Sequence, residues 1–203
     1  MLGSMSAEIE AVVSDVLAML GLPGASIVTL SRLAMDEHAR RVSLALAAAE
    51  SMTGLTREEL TEWIASTPEV VPLAVRVLQA AGQSGNDRTL AILGECLGRC
   101  HDRPTNRPRE ELIVMAIEGL TEEHLTVLAA CATGRKPTAE IAADLSGTID
   151  ATVVAMALMN MLSRGLFDNP FGGYGGGEYW GLSSLGAAVV DAAKAAYPTP
   201  VHD

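Results

Sequence analysis

Up to Arg164 the apolar residues of this chain recur at helical spacing, and between Gly165 and Leu182 that spacing breaks. Gly165-Leu-Phe and Tyr179-Trp-Gly-Leu are short strand-like runs, and Phe171-Gly-Gly-Tyr-Gly-Gly-Gly between them has the composition of a flexible hairpin tip. Ser184-Leu-Gly-Ala-Ala-Val-Val-Asp-Ala-Ala then returns to helix. A single small hairpin set among helices restricts the fold to a mostly α architecture. Composition agrees: 49% of the residues are hydrophobic but only 3% are aromatic. The core is therefore built from Ala, Leu, Val and Met, which favour helices over extensive sheets.

The helices ahead of the hairpin are marked by their caps and stops. Ser6 to Leu20 reads as a first helix, with Ile9, Val12, Val13, Val16, Leu17 and Leu20 at helical spacing. Leu22-Pro-Gly-Ala ends it, and a second helix is expected over Val28–Met52, closed by Gly54. Thr56-Arg-Glu-Glu is a capping box opening a short helix to Ala65. Thr67-Pro-Glu places Pro68 at the first position of another, running to Ala81. Gly82-Gln-Ser-Gly-Asn reads as a loop, Asp87–Arg99 as a helix, and Asp102-Arg-Pro-Thr-Asn-Arg-Pro as the best linker. These signals divide the chain into an all-helical domain over 1–103, a linker and connecting helix over 104–119, and a C-terminal domain over 120–203.

Within the C-terminal domain four signals follow in order: Leu-Thr-x-x-x-x-x-Val-Leu at 120–128, Thr-Ala-Glu-Ile-Ala-x-x-Leu at 138–145, Arg-Gly-Leu at 164–166 and Leu-Ser-x-x-Gly at 182–186. In this order the region resembles the MarR-type winged helix-turn-helix regulators, over about 75 of the 203 residues. The resemblance implies a third helix, Ile149–Arg164, that would enter a DNA major groove, with the hairpin as the wing. Register anchored on Arg164-Gly165-Leu166 puts Val154, Leu158 and Met161 in the core and Ala155, Met156, Met159 and Asn160 on the reading face. Of these only Asn160 can hydrogen-bond to a base.

The charges point the same way. The chain carries a net −11; residues 1–118 hold ten basic and sixteen acidic groups, and residues 119–203 four and nine. Neither half has the clustered cations that phosphate backbones demand. No basic residue lies between Gly165 and Ala193. A helix as apolar as Val153–Leu162 is usually buried, and flexible Met side chains suit protein contact. The expectation is a non-catalytic regulatory or interaction protein. Its face, Ala155, Met156, Met159 and Leu162, packs against the helical domain of the same chain or against a partner, a homodimer being the simplest case. Two alternatives stand beside it: a DNA-binding regulator using Arg135, Lys136, Asn160 and Arg164, and a small-molecule sensor with a pocket between the helical domains.

Other constellations carry little. Cys96, Cys100 and His101 lack the further ligands of a zinc site, and no cysteine has a base and orienting group beside it, so neither metal, cofactor nor catalytic residue is expected. His124 reads as a solvated histidine at a helix start. The glycine-rich tip is not followed by the Gly-Lys-Ser/Thr of a phosphate loop. Three cysteines with no basic leader suit a cytoplasmic protein. The uncharged stretch Val16–Ser31, sixteen residues broken by Gly21, Pro23 and Gly24, falls short of the roughly 20 apolar residues that span a bilayer.

Overall fold

The computed structural model describes residues 24–168 and 178–196. The expected first helix, Ser6–Leu20, and the hairpin tip, Phe171–Gly177, lie outside the described residues. The rest is mostly helical, with one two-stranded antiparallel sheet. The α-helices are α1 (Gly24–Thr53), α2 (Arg57–Ser66), α3 (Val71–Gln83), α4 (Asp87–Asp102), α5 (Arg107–Ile117), α6 (Glu122–Ala130), α7 (Thr138–Asp144), α8 (Ala151–Ser163) and α9 (Ser184–Ala196). The strands are β1 (Lys136–Pro137) and β2 (Tyr179–Trp180). Among the described residues no helix is long and apolar enough to cross a membrane.

Local chemistry sets the helix ends. Gly54, at φ 72°, closes α1 by donating its N–H to the Glu50 carbonyl. The Thr56 box opens α2: the Thr56 N–H lies 2.8 Å from Glu59 Oε2, and the Glu59 N–H donates to Thr56 Oγ1. Several boundaries differ from the sequence reading: α1 begins at Gly24 instead of Val28, within the residues expected to end the preceding helix, and α4 runs to Asp102 instead of Arg99. Residues 68–70 form a turn, and the proline in the first turn of α3 is Pro72, not Pro68. Helix α3 also runs through Gln83, which shortens the following loop to 84–86, where the Asn86 side chain caps α4. The linker is likewise compact: a single 3-10 turn, Pro104–Asn106, separates α4 from α5.

Helices α1 and α4 form the most extensive pair in the molecule and run in the same direction, with Arg40 beside Asp87 and Met52 beside Gly98. They approach closely because α4 presents Gly94 and Gly98 to Ala45, Ala48, Ala49 and Met52. A β-carbon on Gly94 would sit 2.0 Å from the Ala45 carbonyl oxygen. Helix α4 is buried on nearly every side, so its one interior cation needs partners. Arg99 donates to Glu110 Oε2 (2.9 Å) from Nη2 and to Glu95 Oε2 (2.9 Å) from Nη1. Glu110, fully buried, belongs to α5, so this ion pair ties the two sides of the proline-rich turn. One cluster of buried apolar residues runs from Ala45 through α3, α4 and α5 to Val154, Trp180 and Val189.

The small sheet departs from the expected hairpin. β2 pairs antiparallel with β1, Lys136 opposite Trp180, while the described residues after Gly165 meet the returning run at a Phe167–Leu182 bridge, with the Asp168 N–H donating to the Gly181 carbonyl and the Ser183 N–H to the Leu166 carbonyl. Trp180 is buried under this junction; its Nε1–H donates to Thr138 Oγ1 at 2.8 Å, and its ring meets Phe167 edge-on. Helix α9 begins with Ser183 as its cap: the hydroxyl accepts from the Gly186 N–H at 3.0 Å and donates to the Gly165 carbonyl at 2.6 Å. Gly186 itself has no room for a side chain, since a β-carbon there would lie 2.0 Å from the Leu166 carbonyl.

His124 stands at the helix start as expected, but half-buried and hydrogen-bonded. It occupies the third position of α6 and completes a capping box with Thr121, whose hydroxyl lies 2.8 Å and backbone N–H 3.3 Å from Nδ1. Burial, aided by the Arg164 charge, holds the ring below its ordinary value of 6.5. The folded ring binds its proton more weakly than the unfolded one. The stability it contributes is therefore complete above pH 6.5 and is lost as pH falls through that value towards the lower folded one. His124→Gln keeps a capping acceptor without the titration, and its denaturant midpoint is expected to fall less between pH 7 and pH 5 than that of the parent chain. The α1–α4 contact is checked by two like substitutions. Gly94→Ala should cost about 1–3 kcal/mol through overpacking. Gly85→Ala, in open space, should be neutral or stabilising by up to about 1 kcal/mol in the same urea titration.

Candidate protein-contact face

Helix α8 begins at Asp150, whose Oδ1 accepts the Thr152 N–H at 2.8 Å; donors from Thr152 hold the Asp150 carboxyl below its ordinary range. From Ala151 to Ser163 the helix contains no ionisable residue. One face, Val154, Ala157, Leu158 and Met161, is buried against α6 and α7. The opposite face carries Val153 (40% exposed), Met156 (68%), Met159 (53%) and the exposed Asn160.

The residues expected to make contact are thereby divided. Met156 and Met159 project outward, whereas Ala155 and Leu162 are half-buried at the edges, with Leu162 packed on the core. Four residues beyond Leu158, Leu162 returns to nearly the same side of the helix and cannot face away from the core. Of the two coverings expected for this face, the helical domain of the same chain or a partner, the exposure of Met156 and Met159 shows no packing against the described part of the helical domain. Val153 joins the outward face unforeseen; its three-residue spacing from Met156 was the available signal.

The four residues of the DNA-reading alternative are not gathered into a cationic surface. Lys136 Nζ lies 2.6 Å from Asp144 Oδ2 and 3.9 Å from Glu140, and the hydrogen bond to Asp144 raises its pKa. Arg135 lies 3.4 Å from Asp168, with both side chains largely exposed. Arg164 turns away from the outward face of α8 and donates to the Glu118 carbonyl at the end of α5. Its Nε also donates to Asn160 Oδ1 at 3.0 Å, which occupies the amide oxygen that would otherwise accept from a base. Each cation thus has an acceptor within the chain.

The other candidates resolve into packing. Cys96, Cys100 and Cys131 are buried free thiols; burial pushes Cys100 up to about 12 and Cys131 up to about 11, away from the thiolate that nucleophiles and metal ligands need. His101 packs edge-on against Trp63, and among the described residues no cluster of three metal-ligating side chains occurs. An apolar cleft between α6 and α9, lined by Leu125, Leu128 and Val190 with Arg88 and Lys194, measures about 180 Å³. That is below the roughly 300–1,000 Å³ usual for small-molecule sites. A larger one, about 400 Å³ and of mixed polar and apolar lining, lies between the 84–86 loop and the start of α6, bordered by Leu120, Glu122 and Glu123. Exposed apolar pairs occur also at Leu112 and Met115 of α5 and at Val71 and Val75 of α3, but among the described α-helices only α8 carries no ionisable residue. Compared with models of known protein families, with characterised proteins and with solved structures, the chain finds no match.

Proposed function

We propose that the protein is a non-catalytic, cytoplasmic interaction module: a winged helix-turn-helix scaffold whose third helix, α8, contacts protein instead of DNA, the partner being a second copy of the chain. The observation that carries this reading is the exposure of Met156 and Met159 on a helix without a single charge. Exposed helix faces are ordinarily charged, and a bare apolar one marks a surface meant to be covered. The winged-helix reading draws support from the order α6, β1, α7, α8, β2, α9 and from Ser183 and Gly186, which give the Leu-Ser-x-x-Gly motif a structural reason. The internal partners of Lys136, Arg164 and Asn160 weigh against the DNA-binding alternative.

A second copy is the simplest occupant, since a face carried by one chain is present on the other and a two-fold contact is self-complementary, and charge confines where the two copies can meet. Two chains of net −11 repel each other over most of their surfaces, and the uncharged face of α8 is where that repulsion is least. The expected affinity is modest. The exposed apolar area is small, two partly exposed Met and one Val on each copy, and association costs roughly 4–15 kcal/mol in lost freedom. Self-association is accordingly weak, reversible and concentration-dependent.

Sedimentation equilibrium between about 10 μM and 1 mM, a range that brackets such affinities, is expected to show monomer passing towards dimer. Met156→Asp with Met159→Asp should remain monomeric at every concentration with an unchanged thermal midpoint, since neither side chain is buried. An association that survives the double substitution overturns the proposal, as does submicromolar, salt-sensitive binding of the parent chain to any DNA duplex in a low-salt mobility shift.

A further inference from the structure

Three of the nine methionines lie on α8, and the helix sorts them. Met156 and Met159, one turn apart, are 68% and 53% exposed, while Met161 is fully buried. The apolar character of the outward face rests on these two thioethers and on Val153. Leucine would supply the same hydrophobic area without reactivity; methionine adds a sulfur open to two-electron oxidation. The helix brings no carboxylate or cation to the face, so the sulfur is the only reactive group there.

We propose that Met156 and Met159 form an oxidation-sensitive modification site that switches off the contact made by α8; the inference rests on the self-association proposed above. The oxidant is a peroxide. The thioether sulfur of each Met attacks one peroxide oxygen, the O–O bond breaks, an S–O bond forms, and the second oxygen leaves as water. The sulfur is oxidised by two electrons and the peroxide reduced by two. The product sulfoxide is polar and a strong hydrogen-bond acceptor, and the hydroxyls nearest it on this side of the helix are already engaged, Thr152 with Asp150 and Ser163 with the Asn160 carbonyl, which leaves only the exposed Asn160 amide to meet it. Modification takes place on the dissociated chain, where both sulfurs meet solvent, and holds it there until reduced.

The test uses the full chain, hydrogen peroxide and methionine sulfoxide reductase. Peptide mass spectrometry after a timed exposure is expected to find Met156 and Met159 oxidised at least tenfold faster than Met161. In sedimentation equilibrium the dimer dissociation constant should rise on the order of tenfold after peroxide and recover after reductase treatment. Met35, Met52 and Met115 are also exposed and will oxidise. The decisive variant is therefore Met156→Leu with Met159→Leu, which keeps the face apolar and should dimerise equally before and after peroxide. A parent chain that fails to self-associate before oxidation defeats the function proposed above and this inference with it. A parent chain that associates, is oxidised at both positions and keeps its affinity overturns the switch alone, as does an equal loss of affinity in the leucine variant.

Discussion

The close approach of α1 to α4 sets what the remainder of the molecule can do. Helices normally pack with axes 8–10 Å apart, the spacing being fixed by the side chains between them. Here Gly94 and Gly98 place only hydrogen opposite Ala45, Ala48 and Ala49, and the backbones come into direct contact. Helix α4 becomes an axle, with α1, α3, α5 and α9 packed around it. Burial on every side makes its polar groups expensive, which is why Arg99 is satisfied by Glu95 and by the buried Glu110 at once. Because Glu110 comes from α5, the compensation for one buried charge also orients the helix that leads into the C-terminal third.

That third shares the apolar core, through α9 against α4 and α5, and is fixed at one corner by backbone carbonyls. Arg164 holds the last turn of α5 by its Glu118 carbonyl, Gly165 turns the chain at φ 74°, and Leu166 inserts into the core while its own carbonyl lies against Gly186. Ser183 closes the same corner by accepting the Gly186 N–H and bonding the Gly165 carbonyl. Arg-Gly-Leu and Leu-Ser-x-x-Gly are thus two halves of one junction. The arginine that a DNA-reading scheme would assign to phosphate is occupied in supporting a helix end.

Signals acting over one or two turns were legible in the sequence. The Thr56 box, Gly54 as the stop of α1 and the inward set Val154, Leu158 and Met161 all follow from caps and the 3.6-residue period. What was not legible depends on partners distant in the chain. β1 is two residues long and includes a proline without an N–H, so neither periodicity nor propensity marks it; only its pairing with Tyr179 and Trp180 makes it a strand. Pro68 and Pro72 satisfy the same rule for a first helical turn, and burial of Val70 and Leu73 favours the later start. The capping role of His124 was missed because a histidine at the third helical position is an unusual member of a capping box. The pairing of Arg164 with Glu118, and of Arg135 with Asp168, spans 46 and 33 residues, and no spacing rule reaches that far.

The allocation of polar groups also bears on how the outward face of α8 recognises anything. Its one amide, Asn160, is tied to Arg164, its N-terminal donors are engaged by Asp150, and its thioethers are weak acceptors. Directional hydrogen bonding, the basis of base-edge readout, is therefore largely spent within the chain. What remains is dispersion and the hydrophobic effect, which are non-directional and scale with area. An apolar face about two turns long discriminates by shape and by the charges around it, not by a donor–acceptor code. In a chain of net −11 those surroundings are repulsive to acidic partners at long range, so a contact forms only where the uncharged stripe is met closely and breaks when its apolar character is reduced.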